Sequence, residues 1–437
     1  MLLYWTIIDN FALNSQPSTF RMISPETISY AFEHRDEDPR TLALRAKVPA
    51  NVNLTEALQQ IAGWQTARTK LPEWARHDGI IYPPHLAMEQ CSSEQTARYK
   101  AGVVARLLGE KARDGVFYDL TGGFGVDFSY IAPLFRKAVY VEQQENLVEV
   151  ARHNFNTLSL DNAEACCGNA VDMLRSIDHA TMIFLDPARR DNNGGRTYAL
   201  SDCTPDILTM KDELFSKADL LMLKLSPMLD WRAVVQQLGS VKELHIVSVK
   251  NECKELLVVV APLLSPQSGK DVSPQVEDNA LTVFCVNDEQ QFIHHPSSPI
   301  PPFSLHPRPS SSFEGDKKGA LLVPNSSIMK AGCFSELAHH YDVSPISANS
   351  HLFVSPHFID NFPGRQFEIV AISSMNKREL RTTFAGISQA NVAVRNFPMT
   401  AEQLRQRLRL RDGGENYVFA TTEEDGQHII FLCKKRG

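Results

Sequence analysis

The residues best suited to chemistry stand at the ends of short apolar runs. In "FYDLTGGFGVDF" (117–128) a strand-like run ends at Asp119 and is followed by Thr121, Gly122, Gly123 and Gly125 before a helical run begins near Val126. Glycines permit a tight turn and a close backbone approach beside a helix N-terminus, which suits a nucleotide-like ligand. A dinucleotide fingerprint needs G-x-G-x-x-G, and counting from Gly123 and Gly125 the third place is Phe128, too bulky for that packing role. Asp119 inside the turn faces a cationic or hydroxyl-bearing ligand instead, and an amino acid joined to a nucleoside, S-adenosylmethionine, has both. The next run, AVYVE, ends in Glu142 about twenty residues on, where a carboxylate accepts hydrogen bonds from both ribose hydroxyls. CCGNA brings Asn169 to the same rim, within reach of an adenine edge. "TMIFLDPARRD" then sets Asp186 and Pro187 where an acceptor would meet the methyl donor, with Pro187 fixing the backbone after it. Each feature has a plain structural alternative: a tight turn, a solvated surface acid, or a strand that simply stops. Their common register favours the site.

The elements that must position these residues change character along the chain. Residues 24 to about 112 read helical, with periodic apolar positions in "NLTEALQQIAGWQTARTKLPEW" and "EQTARYKAGVVARLLG", broken by Pro72, Pro83 and Pro84. From 116 to 260 short β-rich runs alternate with helical stretches, the signature of a parallel sheet covered on both faces. Residues 262–313 carry many Pro and Ser and contain one strand-like run, ALTVFCV, as a boundary or connector does. From 366 onward the order strand, helix, strand, helix, strand, strand predicts a small α+β domain of ferredoxin-like kind. Thr400 with Gln403 reads as a capping box for its second helix. The expected divisions are 1–21, a poorly defined segment; 22–100, a helical domain; 101–290, the cofactor-binding domain; 291–319, a Pro/Ser-rich connector; and 320–437, the C-terminal domain. Residues 1–21 fit poorly with the helical region after them, and Met22 is a candidate start.

Composition excludes several classes. The 437 residues are 43% hydrophobic and carry a net charge of -7, ordinary for a globular chain and too acidic for a general basic nucleic-acid coat. The eight cysteines form no CxxC pair, so buried thiols in a reducing cytoplasm are expected and no metal site. MLLYWTII lacks a basic leader and stops at Asp9, and no stretch reaches roughly 18 uninterrupted apolar residues. Neither a signal peptide nor a membrane span is expected.

At these residues the chain resembles the class I S-adenosylmethionine-dependent methyltransferases, and within them a bacterial group with a C-terminal THUMP-like domain. The likeness runs through EQCSSEQTARYKA (89–101), DLTGGFG, YVE, GNA, LDPARR, LKLSP, SVKNECKE and PNSSIMKAG (324–332). It implies an α/β, Rossmann-like seven-stranded sheet whose last strand runs antiparallel, with the cofactor across the first two strands. By position it places Asp119, Thr121, Gly123 and Gly125 at the methionine end of the cofactor, Glu142 at the ribose and Asn169 near the adenine, with Asp186 and Pro187 facing the acceptor. One departure matters: amino-group methyltransferases usually carry an aromatic two places after the first proline, whereas here Pro187 is followed by Ala188, Arg189 and Arg190. That puts methylation of a base amine in doubt.

Methyl transfer from a sulfonium needs alignment more than acid–base work, and orientation contributes on the order of 7–11 kcal/mol. Asp186 would orient the acceptor N–H or O–H, taking its proton if the nucleophile requires it. Arg189 and Arg190 would bind phosphate, stack on a base, or pair with Asp191 and other local carboxylates. Lys224 and Ser226, in LKLSP, would border the acceptor; the alternative for Lys224 is a surface lysine. Arg395, Arg405, Arg407, Arg409, Arg411 and the terminal Lys434-Lys435-Arg436 make the C-terminal domain locally basic, although arginines at alternate positions spread around a helix and cannot share one face. Since THUMP modules bind RNA in related enzymes, the resemblance points to tRNA or rRNA as the partner. The rival readings are a small-molecule methyltransferase, which needs no basic tail, and a non-catalytic RNA-binding module that keeps the pocket only as structure.

Overall fold

The computed structural model describes residues 23–44, 48–189, 199–261, 280–297 and 319–435. Residues 1–21 with Met22, the side chain of Arg189, all of Arg190, and most of the Pro/Ser-rich connector lie outside the described residues. The chain divides into two compact units. The first runs to Leu225 and takes in Arg232–Val241 and Val258–Val272; the second takes in Ser226–Trp231, Lys242–Leu257 and the chain from Ser273.

The first unit opens with helices whose ends are written in the sequence. α1 (Pro25–Glu33) and α2 (Pro39–Ala43) each begin with proline behind a capping side chain, Ser24 and Asp38, where the missing N–H costs nothing. α3 (Leu54–Lys70) is capped by Asn53, and α4 (His85–Gln90) comes after the Pro83–Pro84 break. α5 (Glu94–Leu108) is capped by Ser93 and stops at Gly109, at φ 50°, before the short α6 (Glu110–Asp114). Ala67, Leu71, Trp74, Ile81 and Met88 from this region share a core with Phe124, Val126 and Val150. The helices therefore pack on the segment that carries the glycine turn. Asn154 seals that contact: it is fully buried, accepts from Ile81 N at 2.9 Å and donates back to Ile81 O at 2.9 Å.

The sheet strands β1 (Val116–Asp119), β2 (Lys137–Glu142), β3 (Ala163–Cys167) and β4 (Ala180–Leu185) alternate with α7 (Val126–Ile131), α8 (Glu145–Thr157) and α9 (Ala170–Ser176). The two-residue strands β5 (Ala188–Arg189) and β6 (Cys203–Thr204) pair with each other antiparallel. α10 (Ile207–Lys217) leads to β7 (Ala218–Leu225). Within this unit the order is β7-β4-β1-β2-β3, every neighbour parallel. β2 and β4 are buried at all but one position each, as strands with helices on both faces must be. All their carboxyl ends consequently fall on one edge, where Asp119, Glu142, Asp186 and Lys224 stand.

After α11 (Trp231–Leu238) come β8 (Val241–Val249) and β9 (Glu252–Val260), joined by Lys250 and Asn251 at φ 51° and 63°. Two positive φ values make the tight turn that reverses a hairpin. β9 therefore runs against β8, the reversal expected of the last strand. β10 (Thr282–Asn287) adds parallel to β8, and β11 (Gln290–His294) pairs antiparallel with β10. β11 begins at the last residue given to the cofactor domain and runs into what the sequence reads as connector.

In the second unit the SVKNECKE and PNSSIMKAG stretches meet. Asn251 N donates to Asn287 Oδ1 at 2.9 Å and Asn251 Oδ1 accepts from Ser326 N at 2.9 Å. β12 (Ala320–Pro324), α12 (Ser326–Ala331), α13 (Phe334–Tyr341), β13 (Ser344–Pro345) and β14 (Phe353–Ser355) precede β15 (Gly364–Ser374), α14 (Lys377–Thr383), β16 (Asn391–Val394), α15 (Ala401–Leu408), β17 (Asn416–Thr422) and β18 (His428–Lys435). From β15 on this is the strand–helix order read from the sequence, and the Thr400–Gln403 capping box is present at α15. The sheet runs β13-β14-β12-β15-β18-β17-β16. Among the described residues no helix is long and apolar enough to cross a membrane, and no group of His, Cys, Asp or Glu is placed to hold a metal ion.

Candidate functional site

The turn after β1 is built from three glycines with different duties. Gly122 N donates to Val141 O at 2.8 Å, and a Cβ there would sit 2.1 Å from the Tyr140 ring. Gly125, at φ 82°, begins α7, and a Cβ on it would meet Phe155 at 2.8 Å. Gly123, at φ 55°, has nothing nearer to a Cβ than Thr121 O at 3.9 Å. Gly122 and Gly125 serve packing; the open face above Gly123 is the side a ligand can approach. Phe128 is fully buried, with its ring centroid 5.6 Å from Phe117, 5.6 Å from Tyr140 and 4.8 Å from Phe155. An aromatic cluster thus fills the place where a third glycine would bring helix and strand together, which is the physical content of the departure from the dinucleotide pattern.

Four acids ring this turn. Asp119 is 1% exposed and accepts from Thr121 N at 3.0 Å. Burial pushes its pKa well up; the Thr121 hydrogen bond opposes this, and the neighbouring Asp127, Asp186 and Glu142 add to it. A buried carboxylate among acids is costly unless a cation faces it, so a cationic group placed against Asp119 would relieve that cost. Glu142 is held by backbone: Oε2 accepts from Gly123 N at 3.0 Å and Oε1 from Gln144 N at 2.8 Å. Each oxygen keeps a second lone pair, which is what a ribose diol needs. Tyr140 donates its hydroxyl to Gly123 O and locks the turn from behind. These features fit S-adenosylmethionine.

The end of β4 is tied to the same turn. Thr121 Oγ1 accepts from Asp186 N at 2.6 Å, and Leu120 N donates to Phe184 O at 3.1 Å. The Asp186 side chain is 39% exposed and its Oδ2 lies 2.5 Å from Lys224 Nζ. Pro187 is buried, and Ala188–Arg189 pairs with Cys203–Thr204, so the backbone leaving Asp186 is pinned by a short ladder. Lys224, 13% exposed, also lies 3.8 Å from Asp127 Oδ2, and Asp127 Oδ1 lies 3.2 Å from Lys100 Nζ. Ser92 Oγ donates to Asp127 Oδ2 at 2.7 Å. The result is a chain of alternating charge, Lys100–Asp127–Lys224–Asp186, whose inner end is fully buried and whose outer end meets solvent.

Asp119, Thr121, Gly123, Glu142, Asp186 and Lys224 are therefore brought together. Asn169 stands beside them, since Gly168 N donates to Glu142 O at 3.0 Å, but its side chain is engaged as the cap of α9. It accepts from Asp172 N at 2.9 Å and donates to the Asp172 carboxylate. Ser226 belongs to the second unit, and its hydroxyl accepts from Met228 N at 3.2 Å. Arg189 contributes described backbone only. Lys100, Asp127 and Ser92 were not singled out from the sequence. A signal existed: Lys100 lies three residues after Ala97 and four before Val104, on the buried stripe of α5, and a lysine on such a stripe demands a buried partner.

Family models match the C-terminal part of the chain: a ferredoxin-like domain over residues 321–363 and a THUMP domain-like region over 364–435. An uncharacterised S-adenosylmethionine-dependent methyltransferase of Mycobacterium tuberculosis (strain H37Rv) is 23% identical over 355 residues, 80% of this chain and 87% of that relative. A crystal structure from Porphyromonas gingivalis W83, described as that of a methyltransferase candidate, matches with a TM-score of 0.77 and 28% identity, covering 96% of this chain and 100% of that one. The strand order, the glycine turn flanked by Asp119 and Glu142, and these likenesses agree. The chain is a class I S-adenosylmethionine-dependent methyltransferase followed by ferredoxin-like and THUMP-like domains.

Proposed function

We propose that the protein methylates RNA, with a base of tRNA or rRNA as the acceptor and Asp186 orienting it. The observation that carries the reading is the anchoring of Asp186: its backbone N–H is held by Thr121 and its Oδ2 by Lys224, at the carboxyl edge beside the cofactor turn. Asp119 would hold the ammonium end of S-adenosylmethionine, Gly123 its approach to backbone, and Glu142 the ribose. When bound, that cofactor supplies a methyl group on a sulfonium as electrophile. The protein's own work is to align: Lys224 fixes one carboxylate oxygen of Asp186, and the other accepts from the acceptor's N–H or O–H, turning its lone pair toward the methyl group. Pro187 stiffens the same edge.

The RNA reading is supported by the THUMP-like match and by exposed Arg407, Arg409 and Arg411 in that domain. Arg405 is occupied, pairing with Glu402 and with Asp412 at 2.6 Å. Arg189 stands two places after Pro187, where a stacking ring would serve a base amine, so the acceptor must be steadied by other groups, the guanidinium groups of Arg189 and Arg190 among them. The test uses the full chain with methyl-tritiated S-adenosylmethionine and RNA from cells lacking the protein. Expected is ribonuclease-sensitive label, falling roughly 100-fold or more in Asp186→Asn. Label that appears in a small-metabolite extract and never in RNA overturns the reading.

A further inference from the structure

Away from the catalytic edge, α1, α3 and the segment leading to α4 enclose an open cleft of about 500 Å³, solvent at its mouth included. The strongest feature in it is Arg35. Its guanidinium carbon lies 4.1 Å from the centre of the Phe32 ring and 4.7 Å from that of Trp64, and Arg68 covers Trp64 at 5.0 Å. Gln65 Nε2 donates to Arg35 O and Glu37 O, both at 2.8 Å, fixing the loop that carries Arg35. The indole is fixed as well, with Trp64 Nε1 donating to Ala75 O at 3.3 Å. Packing alone does not explain this arrangement, since Phe32 is 47% exposed.

The floor of the cleft is polar at one point. The Tyr82 hydroxyl is buried and has no hydrogen-bond partner among the described residues, while the residue as a whole is 4% exposed. Burial pushes its pKa up, and Arg35 and Asp78 are near enough to act on it, so it stays a neutral donor. Asp78 lies 3.6 Å from Arg35 Nη1. A flat stack of rings and guanidinium beside a donor, a carboxylate and an orphaned hydroxyl matches a planar aromatic ligand with hydrogen-bonding edges. Asp78 in the lining argues against a phosphate seat, because an anion there would repel it.

We propose that this cleft takes a nucleobase, presented by an unpaired nucleotide of the RNA substrate. The proposal rests on the RNA reading above and gives the helical region a role in it. Stacking on aromatic and guanidinium planes is the usual way a splayed-out base is held, and the edge groups Arg35, Asp78 and Tyr82 supply donors and an acceptor. A free nucleotide carries the same chemistry, so the source must be separated by experiment.

Binding of a fluorescein-labelled RNA heptamer of mixed sequence to the full chain is compared with that of the same heptamer made abasic, and with nucleoside monophosphates. Phe32→Ala removes an exposed ring and Arg35→Lys keeps the charge while losing the plane, so neither threatens the fold; the thermal shift with S-adenosylhomocysteine checks this in each variant. The expected result is a heptamer bound roughly tenfold or more tighter than its abasic form, with both variants erasing the difference and leaving the thermal shift unchanged. Monophosphates that bind as tightly as the heptamer, through the same two residues, would keep the base site but overturn the RNA source. Equal binding of heptamer and abasic form in the wild type overturns the cleft alone. No RNA binding at all, with the thermal shift intact, sinks the RNA reading together with it.

Discussion

Replacing Asp127 with Asn tests the buried charge chain that ends at Asp186, the residue proposed to orient the acceptor. Its carboxylate faces Lys100 Nζ at 3.2 Å and Lys224 Nζ at 3.8 Å, and the Lys100 side chain is 0% exposed. Burial by itself raises the Asp127 pKa, but the two ammonium groups and the Ser92 hydroxyl outweigh it and hold the group below its ordinary 3.8. With the folded value depressed, the stabilisation is present above the unfolded value and is lost as pH falls through the folded one; at neutral pH it is fully in force. The amide keeps the shape and removes the charge, so a buried ammonium then faces a neutral group. Breaking such a pair costs about 3–5 kcal/mol. At roughly 2–4 °C per kcal/mol for a unit of this size, the midpoint falls by roughly 6–20 °C. Lys224, no longer shared between two acids, loses its placement against Asp186, and methyl transfer falls with it. Adding Lys100→Met removes the offending charge and returns most of the midpoint without returning methyl transfer. Differential scanning calorimetry at pH 7.5, with tritium transfer run in parallel, reads both. A single Asp127→Asn variant that melts within about 2 °C of wild type and transfers at the wild-type rate refutes the reasoning.

Three further outcomes come from the same geometry. Asp119 has a raised pKa, first through burial, so its stabilising contribution is present below the unfolded carboxylate value and is lost as pH rises through the folded one. Asp119→Asn should therefore melt above wild type as pH climbs from about 4 toward 8 without ligand, and a constant difference across that range would contradict the assignment. A Cβ at Gly122 meets Tyr140 at 2.1 Å, whereas at Gly123 only the φ of 55° is strained; Gly122→Ala should lose fold and ligand binding together, while Gly123→Ala stays folded at a cost of about 1–2 kcal/mol, as circular dichroism melts will show. Thr121→Val removes the acceptor of Asp186 N; a buried donor left unmatched costs about 1–3 kcal/mol, and single-turnover rates should fall while affinity for S-adenosylhomocysteine holds within a few-fold.

Much of this was legible because strand ends carry chemistry and strand interiors carry apolar runs. Asp119, Glu142 and Asp186 each close such a run, and parallel pairing places all three on one edge. The α+β order from β15 onward was readable for the same reason, each element having its own period and its own cap. What escaped depends on contacts distant in sequence. Lys100 and Asp127 stand 27 residues apart; the stripe position of Lys100 asks for a buried partner, but only the packing of α5 against α7 says which. β11 was hidden because Gln290, Gln291 and His294 leave just Phe292 and Ile293 as apolar signals, just before a Pro/Ser-rich stretch. Asn169 was legible in position, but "NAVD" also encodes a helix cap, Asn169 accepting from Asp172 N, and local capping engages the side chain in this structure.

The most direct test of the cofactor turn is a thermal-unfolding titration of the full chain with S-adenosylhomocysteine, with NAD as the comparison ligand and Asp119→Asn beside wild type. At 100 times its dissociation constant a ligand adds about 2.7 kcal/mol to the folded state, a shift of several degrees. The expected result is that shift with S-adenosylhomocysteine in the wild type, none with NAD, and its loss in Asp119→Asn. An equal shift with NAD, or one that survives in the variant, would contradict the assignment of the Asp119–Gly123–Glu142 turn as the seat of S-adenosylmethionine.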